Sequence, residues 1–201
     1  MRRMALMILT VGLTSASGVA QTRVTVTFAP QSRNQAFEVA TEEYRGIWAA
    51  EGGRIIAAME QVTKLKFPER TIKAEIFEGP SNAGLRFSRE GIPAGGSGPM
   101  SFRASYPADE KKGTLVHELG HRMNAQLKKR PQDLDEHRLL FLYLYDLYVD
   151  LYGKEFADRE VAFGKTLKGL YDYESAWNWA LAMSRDERVA RFGEVLKANR
   201  K

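Results

Sequence analysis

His117-Glu118-Leu119-Gly120-His121 lies inside a run, Asp109 to Lys129, that reads as one helix with Asp109 as its cap. Residues four apart on a helix share a face, so the two imidazoles project together, a few ångströms apart. That separation suits two nitrogens bound at about 2.0–2.1 Å to one tetrahedral zinc ion. Glu118 falls beside the metal rather than on it. From there it can take a proton from a water whose pKa zinc lowers toward about 7. Leu115 and Leu119 fall on other faces and are free to pack inward. The chain has three histidines, two of them in this motif, and no cysteine, which leaves His, Asp and Glu as the metal-ligand menu.

This segment resembles the zincin metallopeptidases, whose two zinc ligands and catalytic glutamate match His117, His121 and Glu118. The resemblance implies a water attacking a peptide carbonyl, and a small sheet ahead of the active-site helix whose edge strand pairs with substrate. Pro99 to Tyr106, just upstream, is placed to be that strand. An extended peptide held through its main chain would be accepted with broad sequence tolerance. The likeness is local, covering the helix and more loosely the strand before it.

A catalytic zinc needs a third protein ligand and an open position. Asn124 and Leu127 stand where the metzincin pattern has Gly and His, which argues against that branch. His137, the remaining histidine, is the first choice. It opens the next helix after a short Pro-containing loop, a layout similar to the SprT-like zincins. Glu136, as in the gluzincins, is the second choice, and Asp146 and Asp150 are the third. On that helix His137, Leu140, Phe141, Leu144 and Tyr148 make a more apolar stripe than Glu136, Tyr143, Leu147 and Asp150, which favours His137. Asp133 and Asp135 are read as helix caps or as partners orienting a ligand histidine. A tyrosine of the same helix (Tyr143, Tyr145, Tyr148 or Tyr152) could donate to a developing oxyanion, although packing is the simpler role. Tyr171, Tyr173, Trp177 and Trp179 read as packing. The two tryptophans, two apart, cannot both be buried against one neighbour.

Working outward, Arg23 to Phe28 alternates like a strand, and Asn34 to Lys66 has helical spacing that Gly52-Gly53 is expected to break or kink. Thr71 to Glu78 is a second strand. Gly79 to Gly98 is a Gly-, Pro- and Ser-rich loop with room for a short strand at Gly84 to Ser88. Pro99 to Tyr106 is a third strand. After it the chain is helical: Asp109 to Lys129, Asp133 to Tyr152 ended by Gly153, Lys154 to Lys168, and Tyr173 to Ala198. Strands first and helices later predict an α+β domain with a small N-terminal sheet and a helical C-terminal half, and the resemblance of the motif implies that this domain is zincin-like.

Met1-Arg2-Arg3, the apolar run Met4 to Leu13 and the small residues ending at Ala20 read as a secretory signal, residues 1–20. Residues 21–201 then form one domain, secreted or periplasmic, expected to act as a monomer with no stable membrane span. Of 201 residues, 44% are hydrophobic, which suits a single globular core without disulfides. The net charge is +5, about +3 without Arg2 and Arg3, and Lys128-Lys129-Arg130 reads as a solvated helix end, so nucleic acid is not the expected partner. The expected partner is a peptide or protein substrate and the cofactor Zn²⁺. The competing reading is a binding protein of the cell envelope that cleaves nothing, its zinc structural or absent.

Overall fold

The computed structural model describes residues 23–86, 97–168 and 171–200. The proposed signal segment lies outside them. Among the described residues the order is β1 (Thr25–Pro30), α1 (Gln35–Thr63), β2 (Thr71–Phe77), β3 (Met100–Arg103), α2 (Ala108–Asn124), α3 (Glu136–Tyr152), α4 (Lys154–Thr166), α5 (Tyr173–Leu181) and α6 (Arg185–Asn199). The fold is α+β and mostly helical, with a three-stranded, all-parallel sheet in the order β1-β2-β3.

The sheet shows why its strands were readable. Val26, Phe28, Ile72, Ala74, Ile76, Met100 and Phe102 point into the core, while Thr25, Thr27, Lys73 and Glu75 stay exposed on the other face. Helices α1 and α2 cover the buried face, and Tyr44 of α1 stacks among Phe28 and Phe102 with ring centroids 5.9 and 5.0 Å away. Parallel strands need a long crossover, and α1 supplies it between β1 and β2.

Helix α1 starts where Asn34 accepts a hydrogen bond from the Ala36 amide (2.9 Å) and ends at Lys64 in the left-handed conformation. It runs unbroken through Gly52-Gly53, contrary to the expected kink. The reason is packing: a Cβ at Gly52 would lie 2.7 Å from the Trp48 ring, so the glycine makes room for that indole rather than ending the helix. Helix α2 is preceded by Pro107 with no side-chain cap. Asp109, expected to be the cap, lies in the first turn and pairs with Arg159 at 3.0 Å. The helix also stops at Asn124, short of Lys129. Lys128 and Lys129 follow it, their amides donating to Asn199 Oδ1 at 2.7 and 2.9 Å, and Arg130 turns inward to Glu136.

Helix α3 is buried nearly all round and touches α1, α2, α4, α5 and α6. The two stripes seen in its sequence are therefore both largely interior, the second reaching solvent at Asp150. Gly153, with φ of 87°, turns the chain directly into α4. The helical stretch after Tyr173 divides at Ser184, which forms a reciprocal capping box with Glu187 and starts α6. At the expected short strand, Gly84 to Arg86 are irregular and 87–88 lie outside the described residues. No helix among the described residues is long and apolar enough to cross a membrane.

Candidate metal centre

The site forms where the middle of α2 meets the first turn of α3. Acidic Asp109 and Glu110 in the opening turn suit the α2 dipole. Leu115, Val116 and Leu119 anchor the helix in the core, leaving His117 and His121 on the opposite side. Leu127 and Leu134 bury the connection, and Asp135 caps α3 by accepting from the Arg138 amide at 2.8 Å. That cap fixes the turn carrying His137. Asp135 thus takes the blander of its two expected roles, and Asp133 accepts from Arg191 at 2.7 and 2.9 Å.

The three histidines converge. His117 Nε2 and His121 Nε2 are 3.1 Å apart, and one ligand atom from each of His117, His121 and His137 can be chosen so that all lie within 4.8 Å of one another. Burial, and then the neighbouring imidazoles, push His117 well below the ordinary histidine range; burial and then His121 push His137 to about 2. Both are held neutral, the form that offers a lone pair to a metal. His137 Nδ1 and His121 Nδ1 are buried without a hydrogen-bond partner. Two ring nitrogens at 3.1 Å come close to the roughly 3.3 Å that two tetrahedral zinc–nitrogen bonds would set. The donor set fits a divalent transition metal, and zinc among them.

The other candidates are placed elsewhere. Glu136 Oε2 sits 3.4 Å from His121 Nδ1, the side of the ring turned away from His117, while Oε1 pairs with Arg130. The two atoms are close without forming a hydrogen bond, and Glu136 is not in the group formed by the three histidines. Asp146 is locked in a buried two-point pair with Arg188 (2.7 and 3.1 Å), and Asp150 in an exposed one with Arg185 (2.6 and 3.1 Å). Neither joins the histidine cluster.

Glu118 is buried, and loss of water raises its carboxyl to about 7 against the lowering pull of His121 and Arg122. It lines two cavities, of about 420 and 150 Å³, that share His117, Ser81, Tyr171 and Tyr173. The smaller also touches His121 and His137 and is walled by Asn82 to Leu85. As expected, β3 (Met100–Arg103), within Pro99 to Tyr106, is an edge strand of the sheet. Asn82 and Ser101 exchange amide–carbonyl hydrogen bonds at 2.9 Å in a single antiparallel bridge, which takes up the outer side of β3 at that residue.

Sequence reasoning missed what Tyr171 and Tyr173 do. Their rings lie 4.4 and 4.6 Å from the His137 ring and roof the site. Tyr143, Tyr145 and Tyr148 instead spend their hydroxyls on Gly120 O, Asp158 and Gly113 O. Trp177 stacks on Phe141 (3.7 Å, 9°) and is buried, while Trp179 is only partly so, as their spacing required. No family model, curated protein or solved structure matches the chain significantly, so its likeness to the zincins rests on its own residues.

Proposed function

We propose that this chain is an exported zinc peptidase in which His117, His121 and His137 hold the metal and Glu118 is the general base. The observation that carries the reading is the meeting of three imidazoles from two helices beside a buried, otherwise uncommitted carboxyl group. Zinc there would supply Lewis acidity, the chemistry that lets water attack an amide at neutral pH. Glu118, with its carboxyl near pH 7, takes a proton from the attacking water and passes it to the departing amine. Glu136 keeps the His121 ring oriented through Nδ1. The hydroxyls of Tyr171 and Tyr173, beside His137, are the candidates for steadying the carbonyl oxygen of a bound peptide. Met1 to Ala20 would direct export and then be removed.

The test is cleavage of an unfolded protein by the zinc-loaded chain and by Glu118→Gln. A loss of at least about 10²-fold with metal still bound supports the role of Glu118. Unchanged cleavage removes it, and no cleavage by the parent chain turns the reading toward an envelope binding protein. The mass of the exported chain tests the signal: removal of residues 1–20 is expected, and an intact N-terminus overturns it.

A further inference from the structure

The larger cavity extends beyond the metal site, between α2, α4 and α5, with Tyr106, Phe163 and Trp177 on its walls. Glu160, on α4, also faces it. Its side chain is 8% exposed, and it makes no hydrogen bond or ion pair with any described residue. The carboxylate rests against Gly113, where a methyl group would come within 1.7 Å of Oε2. Gly113 lies one turn ahead of His117 on α2, so this carboxylate sits roughly 6 Å along the helix from a metal-binding residue. The adjacent cation is spoken for: Arg159 pairs with Asp109. Lys168, the one lysine or arginine on the cavity wall among the described residues, is exposed and forms no ion pair with Glu160.

A buried carboxyl group without a partner is costly, and the surroundings deepen the cost. Burial, then the field of Glu110 and Asp109, raises Glu160 to about 8. The same acidic field, with aromatic faces around it, favours an incoming positive charge.

We propose that this cavity receives the side chain of an arginine or lysine of the substrate peptide, and that Glu160 is the residue that selects it. The word substrate rests on the peptidase reading; the recognition of a cationic side chain does not. An aromatic sleeve holds the aliphatic stem, and the carboxylate meets the guanidinium or ammonium at a depth where water competes poorly.

The experiment compares binding of Nα-acetyl-arginine amide with that of its neutral isostere, Nα-acetyl-citrulline amide. Calorimetry on the zinc-treated full chain, repeated with Glu160→Gln, gives the affinities. The arginine compound is expected to bind at least about tenfold more tightly to the parent chain, and the gap is expected to close in E160Q. Equal binding of the two compounds to the parent, no binding of either, or a preference that survives E160Q overturns the proposal. The parent comparison stands whether or not the variant folds. Cleavage of matched peptides bearing arginine or citrulline separates the two readings. Discrimination in binding with no cleavage leaves the cavity assignment and removes the peptidase; cleavage indifferent to the charge, with no discrimination in binding, does the reverse.

Discussion

Arg122 Nε donates a 2.9 Å hydrogen bond to the carbonyl of Ala83, binding α2 to the segment that walls the smaller cavity. The same guanidinium, 1% exposed, also donates to Gly98 O and to Glu69 at 2.6 Å. One side chain therefore ties both Ala83 and Gly98 to α2. Gly84 itself is constrained, with φ of 65° and the Pro99 carbonyl 2.2 Å from where a Cβ would lie. Arg122→Met fills the space but strands two carbonyls and a carboxylate. A loss of about 3 kcal/mol is expected in urea unfolding, and a change under about 0.5 kcal/mol would show that the guanidinium does not hold these groups together.

Glu136 tests the support of the metal site apart from the ligands. With Oε2 3.4 Å from His121 Nδ1, its removal in Glu136→Ala leaves the ring without its steering partner and Arg130 without its counter-ion. Zinc affinity, measured by competition with a chromophoric chelator, is expected to fall by about 10–100-fold while stoichiometry is unchanged. Complete loss of zinc would make Glu136 a ligand, and unchanged affinity would make it irrelevant to the metal.

The strands and the site helix were legible because their signals are local. Alternation at Val24, Val26 and Phe28 fixes which face of β1 is buried, and His117 and His121 share a face on any regular helix. What the sequence could not supply was tertiary. Gly52-Gly53 looks like a breaker until Trp48 is seen lying over it. Glu136 and His137 are neighbours on α3, and only the docking of α3 on α2 decides that one meets ring nitrogen Nδ1 of His121 while the other joins the cluster. Tyr171, just ahead of α5, and Tyr173, its first residue, meet His137 only because of where α5 packs. The pairing of Asn82 with Ser101 is a single antiparallel bridge, too short to carry a periodic signal.

Glu160 gives a pH prediction with a definite sign. Its carboxyl is raised to about 8 in the folded chain by burial and by Glu110 and Asp109, against an ordinary value of 4.5. Below about pH 4.5 both folded and unfolded chains carry the proton, so the group costs nothing there. As pH rises toward 8 the unfolded chain releases the proton and the folded one resists, so stability is lost across that window. Glu160→Gln removes the titration. The variant is expected to gain on the parent as pH rises, by on the order of 2 kcal/mol at pH 8, read from urea midpoints at pH 4.5, 6 and 8. A gap that is flat with pH would contradict the assignment.

The central claim is that His117, His121 and His137 bind one metal ion together, and the most direct measurement is zinc content and affinity of the full chain beside His137→Ala, Asp146→Asn and Asp150→Asn. The account predicts one zinc per chain in the parent and in the Asp150 variant. It also predicts retention in any Asp146 variant that folds, and at least about 100-fold weaker binding once the His137 imidazole is gone. Zinc held as tightly by His137→Ala as by the parent would contradict it.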